Sequence, residues 1–160
     1  MPIFSLEIRK ASCEDLPALN QLAFQSKAYW GYSSDFMAAC RPELTYTAAH
    51  INQPQYHFFL GEKENCLIGF YGLEHLSTHE MELIALFVSP SSIGQGYGKY
   101  LIHHAQRQAA IWETQSILIQ SDPNAETFYR NVGAYRIGQT ESESIPDRFL
   151  PLLKLDLRED

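Results

Sequence analysis

Positive charge is scarce in this chain: twelve Lys and Arg stand against nineteen Asp and Glu, a net charge of −7. The basic residues are scattered along the chain, so a nucleic acid would meet repulsion on average and is not an expected partner. An acidic surface instead attracts cationic amines at long range. Cysteine is also sparse, and Cys13, Cys40 and Cys66 are too far apart to form a CxxC pair and too few for a disulfide framework. They are expected to pack as small buried or half-buried thiols. No His/Cys cluster has metal-ligand spacing, so zinc is not expected. Long apolar runs are missing, since stretches such as 83–88 stop well short of the roughly 18 residues that cross a bilayer. Residues 1–10 lack the basic start, apolar core and cleavage site of an export signal, which makes the cytoplasm the expected compartment. No Pro-, Gly- or Ser-rich linker interrupts the chain, and one domain is expected over residues 1–160.

What is present is globular: 45% of residues are hydrophobic and 19% charged. Ile3, Leu6 and Ile8 read as an opening strand, with Ser12 and Asp15 as the start signal of a helix over 14–29. Leu16, Leu19, Leu22, Ala23 and Phe24 place an apolar face along it. Shorter helices are expected over 34–40 and 45–52, the latter stopped by Pro54. Aromatic and aliphatic runs at 56–61, 67–74 and 81–88, separated by short polar turns, read as three antiparallel strands. A helix over 97–112, a strand over 116–120, a helix over 125–132 closed by Gly133, and strands over 135–140 and 149–157 complete a mixed α/β domain on one central sheet.

The most informative stretch is Gly94-Gln95-Gly96-Tyr97-Gly98, which joins a buried strand to a helix. Glycine lets backbone approach a ligand closely, and the first turn of a helix carries unpaired N–H groups at a partly positive end. Together these features hold phosphate. A P-loop is excluded because Tyr100 follows Gly98-Lys99 where Ser or Thr is required. A dinucleotide fingerprint is excluded because its third glycine falls on Lys99 or Leu101, depending on where it starts. An acyl-CoA diphosphate loop requires neither frame.

Val88-Ser89-Pro90, then Gly94-x-Gly96-x-Gly98 and Leu101, resembles the acyl-CoA pyrophosphate loop of the GNAT superfamily of N-acetyltransferases. The block from Ser121-Asp122-Pro123-Asn124-Ala125 through Phe128-Tyr129 to Gly133-Ala134 resembles the next motif of that superfamily, in the right order and separation. The resemblance implies a central, mostly antiparallel twisted sheet of about seven strands with helices on both faces. It also implies direct attack of an amine on acetyl-CoA in a ternary complex, with no acyl-enzyme. One departure stands out: relatives usually carry Gln or Arg before the first loop glycine, and this chain has Ile93.

By the same resemblance, Phe87, Val88 and Ser89 present backbone groups to the pantetheine arm. Gly94, Gln95, Gly96, Tyr97, Gly98 and Lys99 wrap the diphosphate, and Asn124 either caps its helix or bonds the pantetheine. Tyr129 matches the residue that donates a proton to the leaving sulfur, and Glu82 stands where some relatives carry the general base. Glu80, His79 and His75 are neighbouring alternatives for that base. Trp30 and Tyr32 lie where relatives shape the acceptor pocket, and aromatic rings there enclose a cation well. Plain packing is the competing reading for Tyr129, Trp30 and Tyr32, and solvent exposure is the competing reading for Glu82. Two other functions fit the same residues: a non-catalytic acyl-CoA-binding or sensing module, and a homodimer formed through the last strand. The acceptor is expected to be a small molecule, an amino acid or a peptide amine.

Overall fold

A computed structural model describes residues 6–157. Within them the order is β1 (Glu7–Lys10), α1 (Leu16–Ala28), α2 (Ser34–Cys40), α3 (Ala48–Asn52), β2 (Tyr56–Lys63), β3 (Cys66–His75), β4 (Glu80–Val88), α4 (Tyr97–Ile111), β5 (Ser116–Gln120), α5 (Glu126–Asn131), β6 (Tyr135–Glu141) and β7 (Phe149–Asp156). Of the expected opening strand, Ile3 lies outside the described residues. The helix expected from residue 45 starts only at Ala48. Pro42 sits in a 3₁₀ turn over Arg41–Leu44, and Thr47 is extended, with its N–H donating to His50 Nδ1 at 3.0 Å. The helix expected over 125–132 is likewise divided into a 3₁₀ turn, Pro123–Ala125, and α5.

One seven-stranded sheet runs in the order β1-β2-β3-β4-β5-β7-β6, antiparallel throughout except for β4 with β5. Glu64 and Asn65 close the β2–β3 hairpin with φ of 52° and 65°, the left-handed pair that suits the twist of adjacent strands. The parallel β4–β5 step follows from α4, which crosses over one face of the sheet and returns the chain in the same direction. β7 then inserts between β5 and β6 and leaves β6 at the edge.

Two apolar layers cover the sheet. One packs α4 and α5 against it, through Leu101, Ile102, Ala105 and Ala109 with Tyr71, Leu73 and Leu83. The other packs α1 and α2, through Leu19, Leu22, Ala23 and Met37 with Phe58, Leu60 and Phe70. Cys40 is buried in this second layer, but Cys13 and Cys66 are exposed, against the expectation of packed thiols. Both flank turns, where no core is available to take them.

Strand β4 serves both layers. Leu83 pairs with Leu73 and Ala85 with Gly72, so Ile84 is an extra residue on β4, a bulge. Before it Met81 and Leu83 face the α4 layer; after it Leu86 and Val88 do so, while Ala85 and Phe87 face the α1 layer. Pairing with β5 is confined to Glu80 through Leu83, opposite Ser116 through Ile119. Beyond the bulge the two strands part.

Candidate active site

The parting of β4 and β5 opens a cavity of about 970 Å³ that runs between α1, the β4 bulge and the start of α4. That is near the upper end of the range for small-molecule sites. Leu86, Phe87 and Val88 form one wall, and Gly94, Gly96, Tyr97, Gly98 and Lys99 form the end where α4 begins. Asn124, Phe128 and Tyr129 face them from the β5–α5 side.

The helix start is shaped for close approach. Gly94 and Gly96 adopt φ of +83° and +88°, which side-chain-bearing residues rarely tolerate, and a Cβ on Gly94 would meet only open space. A Cβ on Gly98 would lie 3.3 Å from the Phe128 ring. The first intrahelical bond comes from the Tyr100 N–H to the Gly96 carbonyl at 3.1 Å. The N–H groups of Gly98 and Lys99, ahead of it, therefore have no partner inside the helix. Backbone donors, a positive helix end and bare glycine surface fit a diphosphate, and the unpaired edge of β4 beyond Leu83 fits an amide-bearing arm. Ile93 is 38% exposed and lines the same space with an apolar side chain.

Of the four tyrosines that line this cavity, Tyr46 and Tyr129 are buried with unpartnered hydroxyls. Tyr129 is 8% exposed and Tyr46 is 6% exposed, and both line it. Neither hydroxyl has a hydrogen-bond partner among the described residues, while every fully enclosed side-chain N or O atom there does. Both hydroxyls must therefore touch open space. Burial pushes each phenol well above its ordinary pKa, with the nearby Asp122 carboxylate adding to the effect on Tyr129. Both remain protonated donors at neutral pH.

Glu82 lines the cavity beside the bulge, half-buried, and accepts from Gln120 Nε2 at 3.3 Å. Burial raises its pKa, and the carboxylates of Glu74 and Glu143 raise it further. The alternatives for a base lie elsewhere. His75 shares a 2.8 Å contact between Nε2 atoms with His57, Glu80 accepts from Ser116 Oγ at 3.4 Å, and His79 sits exposed in a turn.

Several expected residues have different surroundings. Trp30 is on the cavity wall, but Tyr32 is not. The Tyr32 ring stacks on Phe36 at 4.1 Å, and its hydroxyl donates to Asp122 Oδ2 at 2.9 Å and accepts from Asn124 Nδ2 and Arg148 Nη2 at 2.9 and 3.0 Å. Desolvation and the Asp122 hydrogen bond hold this phenol at about 12. The capping role considered for Asn124 belongs to Asp122, which accepts from the Asn124 N–H at 2.8 Å. The Ser89 N–H is engaged by the Ile68 carbonyl at 2.8 Å, and neither Ser89 nor the exposed Gln95 lines the cavity.

Asp122 is the centre of a network that residue patterns did not reveal. Lys27 Nζ approaches it to 2.6 Å and Arg148 Nη2 to 3.6 Å, with all three side chains no more than 17% exposed. Burial alone would raise its carboxyl; the hydrogen bond and charge of Lys27, with the donors from Asn124 and Tyr32, hold it below the ordinary value. The network ties α1, the loop after it, the β5–α5 turn and the β6–β7 loop around one end of the cavity. Only the place of Asp122, two residues before Asn124 in the second motif, hinted at it.

A central sheet parted at β4 and β5, with a glycine-opened helix at the parting, is the GNAT fold. The model of the acetyltransferase (GNAT) family matches residues 22–134, well over half of the chain, and the protein belongs to that family. Solved structures of the same fold include the PaiA N-acetyltransferase from Thermoplasma acidophilum in complex with coenzyme A. It is 20% identical, with 96% of this chain and 99% of that one covered, and a TM-score of 0.77. A GNAT acetyltransferase from Staphylococcus aureus is 17% identical over 96% of this chain and all of that one, with a TM-score of 0.75. The ribosomal-protein-S18-alanine N-acetyltransferase from Escherichia coli is 16% identical over 97% and 96%, with a TM-score of 0.71. No curated protein matches the chain in sequence.

Proposed function

We propose that the protein transfers an acetyl group from acetyl-CoA to a primary amine by direct attack within a ternary complex. The observation that carries this reading is the glycine-opened start of α4 facing the parted strands, with a protonated phenol and a half-buried carboxylate on the same cavity. The first-turn N–H groups hold the diphosphate and the free edge of β4 aligns the pantetheine arm, delivering a thioester between Glu82 and Tyr129. Glu82, disposed by its surroundings to hold a proton, takes one from the incoming ammonium. The neutral nitrogen bonds to the carbonyl carbon, the C–S bond breaks, and the Tyr129 hydroxyl supplies a proton to the departing sulfur. The second proton shed by the nitrogen restores Tyr129, so one proton reaches solvent per turnover. Trp30 at the rim and the aromatic rings deeper in the cavity enclose the acceptor.

Melting the protein with and without acetyl-CoA tests the binding half of this reading. A hundredfold excess over Kd stabilises by about 2.7 kcal/mol, or roughly 5–10 °C at this size. An unmoved Tm at saturating ligand rules it out. Thiol release on adding an amine tests the chemical half and separates an enzyme from a binding module.

A further inference from the structure

The acceptor end of the cavity carries more negative charge than one amine requires. Glu74 and Glu82 are register partners on β3 and β4, so their side chains leave the same face of the sheet, and both line the cavity. Glu143, on the β6–β7 loop, lines it as well, with Glu43 at the exposed rim. None of these four carboxylates has an ion-pair partner among the described residues. Two cations of that end, Lys27 and Arg148, are both committed to Asp122, and the remaining lining cation, Lys99, sits on the first turn of α4.

A second observation points to a ligand at the same place. The Tyr46 hydroxyl, on a side chain more than nine-tenths buried, lacks a protein partner and opens into the cavity. Beside it the rings of Tyr46, His50 and Tyr56 form a continuous aromatic wall, with centroids 5.4 and 4.8 Å apart. His50 accepts from the Thr47 N–H through Nδ1 and is neutral, since burial lowers its pKa despite the Glu74 charge. Carboxylates backed by aromatic faces and an acceptor phenol oxygen suit an alkylammonium group.

From this geometry we infer that the acceptor is a small diamine or polyamine, with one amine at Glu82 for reaction and a second ammonium held by Glu74, Glu143 and the Tyr46 hydroxyl. The inference rests on the acetyl-transfer reading, and the stoichiometry of charge drives it. Once Glu82 has taken the proton from the reacting nitrogen, that pair is neutral, and the carboxylates that remain are balanced only by another cation on the same molecule. An acceptor with a free carboxylate, such as an amino acid, would bring its negative charge against them.

Matched acceptors of one chain length test this: 1,4-diaminobutane, n-butylamine and 4-aminobutyrate, assayed for thiol release with acetyl-CoA. The expected order of kcat/KM is diamine, then monoamine, then amino acid, with about a tenfold preference for the diamine over the monoamine. Glu74→Gln and Glu143→Gln should each shrink that preference, mainly through KM; the loop position of Glu143 keeps the test open should the strand variant fold poorly. Equal or better use of n-butylamine overturns the inference. So does a shifted pH profile in E74Q with the preference unchanged, which would reduce the cluster to tuning Glu82. If no amine is acetylated, calorimetric binding of 1,4-diaminobutane that weakens in both variants upholds the acceptor site and sinks the transfer reading, whereas absence of such binding sinks the acceptor site.

Discussion

Replacing Tyr129 by Phe isolates one oxygen atom. The ring is 8% exposed and stands edge-on to Phe128 at 5.2 Å, contacts that phenylalanine preserves. The lost hydroxyl has no hydrogen-bond partner among the described residues, so its removal orphans no protein group. Stability should therefore change by no more than about 0.5 kcal/mol, which moves Tm by about 2 °C at most. The rate should change far more. A positioned acid contributes on the order of 10²- to 10⁴-fold, and a hundredfold loss corresponds to about 2.7 kcal/mol of transition-state stabilisation. Acetyl-CoA affinity should stay within about twofold, because the hydroxyl is assigned to the leaving sulfur and not to the bound thioester. Initial rates of thiol release under saturation, thermal melts and calorimetric titration with CoA separate these quantities. Unchanged kcat, or a loss of CoA affinity that parallels the loss of rate, removes Tyr129 from the proton-transfer step.

Glu82→Gln should lower kcat/KM by about 10²-fold or more and abolish the acidic limb of its pH profile. The raised pKa of Glu82 means that the folded state binds more protons than the unfolded one as pH climbs from the ordinary glutamate value, so the native carboxylate loses stability over that interval. The variant should consequently melt higher than the parent above the folded pKa and equally below the unfolded one; parallel melting curves at every pH would contradict the assignment. Asp122→Asn leaves Lys27 and Arg148 facing each other without their shared anion, which should cost about 3 kcal/mol and roughly 5–10 °C in Tm at neutral pH. In the parent this contribution is lost as pH falls through the depressed Asp122 pKa, so the two proteins should converge in acid. Ile93→Arg adds a cation beside the helix start and should tighten CoA binding about fivefold in low salt, with the gain fading as salt rises; an unchanged Kd would place the diphosphate elsewhere.

The legible parts of this protein are those whose signals are contiguous. Strands β2 to β5 and helix α4 are written in runs of aromatic and aliphatic residues punctuated by glycine and polar turns. The cavity end formed by Phe87, Val88 and the Gly94–Gly98 turn lies within a dozen or so residues of chain. The insertion of β7 between β5 and β6 is a choice of partner made across the sheet, and no local period encodes it. The acceptor end is harder still to read. Tyr46, Glu74, Asp122 and Arg148 come from four separate turns and strand ends, where side chains follow no repeat, and their common location depends on the fold. Tyr32 shows the converse: an aromatic in a suggestive segment is spent on holding Asp122 in place. Its ring faces Phe36 and leaves the cavity wall to Trp30.

Deleting Ile84 would be a harsher change than any side-chain replacement along β4. With strict alternation restored, Ala85 and Phe87 would stay in the layer of Phe70 and Leu86 and Val88 in that of Leu101, but β4 would run on past Leu83 without its local kink. The two hydrophobic interiors would lose only Ile84, and the feature at stake would be the gap between the middle strands. A single supernumerary residue thus turns one strand aside halfway along while every later side chain keeps its layer, and the opening in the sheet accompanies that turn.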